Sequence, residues 1–136
     1  MMNIRNAICV LACFVLIGAC ESKNVQLKEE VIAIHDEVMP HMGKLKSLQK
    51  ELIQQAEQLK LEDSISHSQH IATLRETAAE LDAAYEGMFV WMRQFEPDQG
   101  ALTDEAYEEY LKEQKELVEK VKNDINASLT KAESLQ

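Results

Sequence analysis

The sequence predicts an all-α protein, on three observations. Its 136 residues hold only four Gly and two Pro, too few for the many tight turns of a β-sandwich or barrel. It is 28% charged and rich in Leu, Glu, Lys, Gln and Ala, the residues that enter helices at least cost. From Val31 onward, apolar residues recur every three or four positions in three runs separated by turn signals. That spacing lines each run along one helix face. The expected architecture is an up-down-up antiparallel three-helix bundle with a kinked first helix, preceded by a cleaved leader.

The leader is read first. Arg5 is the single charge before Glu21, and the apolar run Ala7 to Ile17 follows it. At ~1.5 Å per residue this run is too short to cross a ~30 Å hydrocarbon core, but it suits the central region of a signal peptide. Gly18 and Ala19 then supply the small residues of a cleavage site. All three cysteines, Cys9, Cys13 and Cys20, lie within this stretch.

Ile17-Gly18-Ala19-Cys20 resembles the lipobox of bacterial lipoproteins, in which an aliphatic residue and two small ones precede a Cys. The resemblance implies a signal peptide over residues 1–19, cleavage before Cys20, and fatty acylation (palmitate among the chains) at Cys20. Two or three acyl chains anchor firmly where one binds only marginally. No thiol then remains in the mature chain, which removes thiol catalysis and cysteine metal sites. Cleavage takes Arg5 from the 14 basic residues and none of the 24 acidic ones, moving the net charge from −10 to −11. Such a body gains nothing from anionic lipid and leans on its anchor. Glu21, not Asp, follows Cys20, so the enterobacterial inner-membrane retention signal is absent. The expected location is therefore the bacterial outer membrane, lipid-anchored, facing the periplasm.

After a short tether over 20–26, residues 27–136 are expected to form the bundle, with helices at about 27–61, 66–95 and 103–135. The first stripe is Val31, Ile34, Val38, Met42, Leu45, Leu48, Leu52, Ala56 and Leu59, with a mean step of 3.5, close to a coiled-coil seam. Pro40 lies inside it, lacks an amide proton and clashes with the carbonyl of Asp36, which predicts a kink. The stripe keeps its phase across Pro40, favouring one bent helix over a break with Pro40 opening the next. Ser66 and Gln69 fit a capping box. The second stripe is Ile71, Leu74, Ala78, Leu81, Tyr85, Met88, Met92 and Phe95, stopped by Pro97 and Gly100. Thr103 can cap the third helix, with Asp104 and Glu105 in its first turn. Its stripe is Tyr107, Leu111, Gln114, Val118, Val121, Ile125, Leu129 and Ala132. Both connections are short, so neighbouring helices should run in opposite directions.

The unusual residues gather at one end. Tyr85, Phe89, Trp91, Phe95, Tyr107 and Tyr110 are all the aromatics past the leader. A turn near residues 63–64 sets residue i level with about 127 − i, placing His35 beside Met92, Met39 beside Met88 and Met42 beside Tyr85. Three readings compete for this layer. It is a thick core that Met and aromatic side chains fill. Or it is a partner or ligand site comprising His35, Met39, Met42, Tyr85, Met88, Phe89, Trp91 and Met92. Or it is a soft-metal site, with His35, Met39, Met88 and Met92 as candidate ligands for copper(I). His67 and His70, at i,i+3 near Asp63, are a second and weaker candidate metal pair.

His35-Asp36 matches the dipeptide of HD phosphohydrolases, but adjacent helical residues point ~100° apart and the further His and Asp of that family are missing. The chain also lacks a Gly-rich phosphate loop, a G-x-S-x-G elbow and an H-E-x-x-H helix. No enzyme activity, catalytic residue or cofactor is expected. The acidic balance excludes a nucleic-acid partner, which would need clustered Lys and Arg.

Two segments, HDEVMPHMGKL (35–45) and YEGMFVWMRQF (85–95), resemble paired motifs of small helical lipoproteins of Bacteroidota that are sometimes labelled "viral A-type inclusion protein". The resemblance implies no activity. The function expected is that of a lipid-anchored, non-enzymatic envelope module binding a protein partner through its Met- and aromatic-rich end, with self-association as a further option. The rival expectation is a periplasmic metal-binding or metal-sensing protein using His and Met ligands.

Overall fold

The structure, a computed structural model, describes residues 22–136; the leader and Cys20 lie outside the described residues. All regular structure among them is helical: α1 (Lys23–Val38), a 3₁₀ turn (Met39–His41), α2 (Met42–Asp63), α3 (Ser68–Gln94) and α4 (Asp104–Glu133). Every backbone angle given around the turn, at Val38, Met39, His41 and Met42, stays right-handed helical. The α1–α2 arm is therefore continuous through the 3₁₀ turn. Pro40 cannot donate, so the ladder tightens locally and the Met42 amide donates to the Met39 carbonyl.

The first helix begins earlier than its apolar pattern suggests. Ser22 caps it, its hydroxyl accepting from the Val25 amide. Residues 23–26, expected as tether, are helical because α4 holds them. Lys23 Nζ lies 2.6 Å from Glu108 Oε1, and Asn24 donates to the Asp104 carbonyl at 3.0 Å. Lys112, and after it Lys23, draw the Glu108 carboxyl from the usual 4.5 down to about 2. A depressed carboxylate stabilises the fold above its unfolded value and loses that contribution as pH falls through its folded one. The α1 start is thus expected to stay clasped at neutral pH and to loosen as pH falls from about 4.5 to about 2. Carboxyl carbon NMR checks this: Glu108 should titrate last among the glutamates.

Helix directions follow from the paired side chains. Lys23–Glu108, Glu30–Lys115, Glu37–Lys122 and Glu51–Gln136 all pair at a separation of 85. A constant offset means that the α1–α2 arm and α4 run the same way, in step. Between α2 and α3 the pairs Lys46–Asp82 and Glu57–Arg75 converge toward the turn, so these helices run oppositely. Between α3 and α4, Lys131 meets Glu80 at one end while Tyr110 meets Glu96 at the other, again opposite.

The core is a set of seven-residue columns. Val31, Val38, Leu45 and Leu52 form one; Leu111, Val118, Ile125 and Ala132 another; Leu74, Leu81 and Met88 a third; all are buried. Positions at multiples of seven stay on one face when helices coil gently about each other. On α3 the second column is Thr77, Ala84 and Trp91, whereas the expected stripe used the next residues round, Ala78, Tyr85 and Met92. Ala78 is buried too, but Tyr85 is half-buried and Met92 is 39% exposed, while Trp91 is only 5% exposed. Ala84 of this column faces α4 across a shared hollow, while Trp91 reaches toward His35 on α1.

Two further details differ from expectation. There is no capping box at Ser66: the Asp63 carboxylate takes the amides of Ile65 and Ser66 and the Ser66 hydroxyl, and α3 starts at Ser68 after His67. A carboxylate with three donors outcompetes the hydroxyl for local structure. Thr77 is fully buried with an unpartnered Oγ1. Thr77→Val keeps its shape and removes that oxygen, so a gain of ~1 kcal/mol is expected. Calorimetry should show a melting temperature a few degrees higher.

Candidate functional site

The site begins with a gap. α1 packs along α4 and barely approaches α3, while α2 packs closely on α3. On the amino-terminal side of the 3₁₀ turn, α1 and the last turns of α3 are thus bridged by side chains, and only large ones reach. His35 and Trp91 stand with ring centroids 5.8 Å apart, and Trp91 stacks on Phe95 at 4.9 Å. Phe95 faces Tyr110 at 6.5 Å and Tyr110 faces Tyr107 at 6.1 Å. One chain of rings therefore ties α1, α3 and α4 together.

Its far end holds the α3–α4 loop. Phe95 is extended, Pro97 follows, and Gly100 takes a left-handed φ of 56°. The Tyr107 hydroxyl donates to the Pro97 carbonyl at 2.5 Å, and the Glu96 amide donates to the Tyr110 hydroxyl at 2.6 Å. Burial, then the charge of Asp98, raise the Tyr107 pKa. The phenol so stays a donor past the ordinary tyrosine range, and its contribution disappears only as pH rises through the raised value. Tyr107→Phe is expected to cost ~1 kcal/mol by removing that one bond, measured by urea unfolding at neutral pH.

On its outer side the gap leaves a cavity of about 370 Å³ lined by Ile32, His35, Asp36, Trp91, Met92, Phe95 and Pro97. Ile32 and Met92 are exposed at its rim. His35 Nδ1 bonds the Asp36 carboxylate at 2.8 Å. The other ring nitrogen, His35 Nε2, is buried without a partner, and so is Trp91 Nε1. Unpaired buried polar atoms are costly, and two of them share this one wall.

The candidate residues divide accordingly. Met42 and Met88 are buried in the core; Trp91 is buried there too, yet it lines the cavity. Tyr85 and Phe89 pair at 4.9 Å on the α2 side, with Lys46 Nζ 4.9 Å over the Tyr85 ring. Met39 is half-buried against the core. His35 and Met92 do meet, in the cavity. The sequence reading missed Ile32, Asp36, Phe95 and Pro97 as site residues; the signal that could have found them was Pro40, which implies a gap beside α1. Among the described residues no group of three or more His, Cys, Asp or Glu could hold a metal ion. His70 lines a different hollow, with Gln55, Gln58, Leu59, Glu62 and Leu135, and His67 ends the turn before α3.

Another hollow, of about 420 Å³, lies between α3 and α4 over Ala83, Ala84, Gly87 and Ala127, edged by the Lys131–Glu80 pair. Its buried Ser128 hydroxyl already donates to the Ile125 carbonyl, so it offers a ligand no unmet polar group. Fold and site together define an all-helical body with a small amphipathic groove near its amino-terminal end. Comparison with models of known protein families, with curated proteins and with solved structures finds no match.

Proposed function

We propose that this chain is a lipid-anchored, non-enzymatic envelope module, an up-down-up three-helix bundle that binds a protein partner through the α1–α3 groove. The anchor would be acylated Cys20, and the location the periplasmic face of a bacterial outer membrane. The observation that carries the reading is the groove itself, walled by Trp91 and Phe95 with Ile32 and Met92 exposed at its rim. The leader motif supports the anchor. No helix among the described residues is long and apolar enough to cross a membrane, so retention at a membrane would rest on lipid. The helix directions and the constant offset between the first and last arms support the bundle topology.

Photo-crosslinking in intact cells tests the reading. Trp91 is buried, so the probe belongs at Met92, with Leu117, exposed on α4, as control. One recurrent, identified protein trapped from position 92 and not from 117 is the expected result. Equal or no trapping from the two positions would remove the groove as the contact surface.

A further inference from the structure

We propose that Met92 is a reversible oxidation site: a hydroperoxide converts its thioether to the sulfoxide, and the apolar rim of the α1–α3 groove becomes polar. The modification stands on burial and chemistry. Its effect on a partner rests on the partner-binding reading above.

Sulfur sets the target. All three cysteines lie within the first twenty residues. Among the described residues, thioethers are therefore the side chains that a peroxide attacks most readily. They belong to Met39, Met42, Met88 and Met92, and the fold grades them by access. Met88 is fully buried, Met42 is 6% exposed, Met39 is half-buried and Met92 is 39% exposed. An oxidant in solution meets Met92 first.

The step balances without a further reagent. A lone pair of the Met92 sulfur attacks one oxygen of hydrogen peroxide. The S–O bond forms as the O–O bond breaks, the attacked oxygen passes its proton to the leaving one, and water departs. Sulfur gives up two electrons and the peroxide gains them. A methionine sulfoxide reductase reverses the change, with two thiols supplying the two electrons and the oxygen leaving as water.

Position gives the step its consequence. Met92 is the one sulfur-bearing side chain lining the groove, and with Ile32 it forms the exposed rim. A sulfoxide oxygen holds water, so an apolar surface seated there must first strip that water away. At Met88 or Met42 the same oxygen would enter the core and break its packing. At Met92 it stays in solvent, so the bundle survives the modification and only the groove changes.

The protein is treated with hydrogen peroxide, and peptide mass spectrometry follows each methionine. Met92 is expected to gain one oxygen at least about ten-fold faster than Met42 or Met88, and at least about three-fold faster than Met39. Full oxidation of Met92 should move the melting temperature by less than about 4 °C. Added reductase should remove the oxygen. Oxidation of Met92 no faster than that of Met39, or unfolding in step with it, overturns the proposal. The effect on the groove is read in intact cells from a photo-crosslinker at Ile32, the opposite rim. Capture of the partner should fall at least about five-fold after peroxide, while Met92→Leu, which keeps the rim apolar without sulfur, keeps its capture. An equal fall in Met92→Leu places the effect elsewhere and overturns the switch. The two readings fail separately. No partner trapped from position 32 in untreated cells sinks the partner reading, while the mass spectrometry still decides the oxidation site.

Discussion

Trp91→Ala is expected to destabilise the chain by about 3–5 kcal/mol, the largest effect of any single side chain at this end. Trp91 is 5% exposed, stacks on Phe95 and abuts His35 where α1, α3 and α4 meet. Truncation removes the bridge across the α1–α3 gap and leaves a void that α1, held along α4, cannot move in to close. Met92→Ala is the matched control. It lies one residue along, on the stripe that periodicity favours, yet it is 39% exposed. Its cost should stay below about 1 kcal/mol. Urea denaturation of soluble residues 21–136 separates the two. A larger loss at Met92 than at Trp91 would mean that α3 is turned by one position.

Cys20→Ser is expected to abolish acylation and remove the protein from the membrane fraction. The argument is one of alternatives. Among the described residues no helix can span a bilayer. A chain with 24 acidic and 14 basic residues has no net attraction to anionic lipid. On the proposed reading the hold would be two or three acyl chains at Cys20, and a serine hydroxyl cannot form the thioether that would carry them. Mass spectrometry of native material should find an amino terminus at residue 20 bearing fatty acid. Metabolic labelling with a fatty-acid analogue should mark the wild type and leave the variant blank. An intact leader or an unmodified thiol at position 20 would dismiss the anchor and the envelope location with it.

Much of the fold could be read from residues alone, because helix formation depends on local composition and repeat. The columns Val31–Val38–Leu45–Leu52 and Leu111–Val118–Ile125 consist of large aliphatic residues at seven-residue spacing, and only burial accounts for them. Thr103 caps α4 as its position suggests, accepting from the Ala106 amide. Pro40 marks the 3₁₀ turn at Met39–His41 through chemistry internal to the chain. The misreadings on α3 share one cause. Thr77 and Ala84 are small or polar and do not advertise burial, whereas Tyr85 and Met92 do. Periodicity therefore favoured Tyr85 and Met92 over the buried Ala84 and Trp91, while Ile71, Leu74, Ala78, Leu81 and Met88 of the same stripe are buried as expected.

The sequence by itself determined that the chain is helical, where its helices turn, and which end collects its methionines and aromatic rings; backbone propensity and spacing are local properties. Only the tertiary structure decided which of those rings are core and which line a groove. That choice depends on how far apart two backbones stand, and α1 is held along α4, away from α3, by the in-step pairing of the first arm with α4. No window of residues contains it.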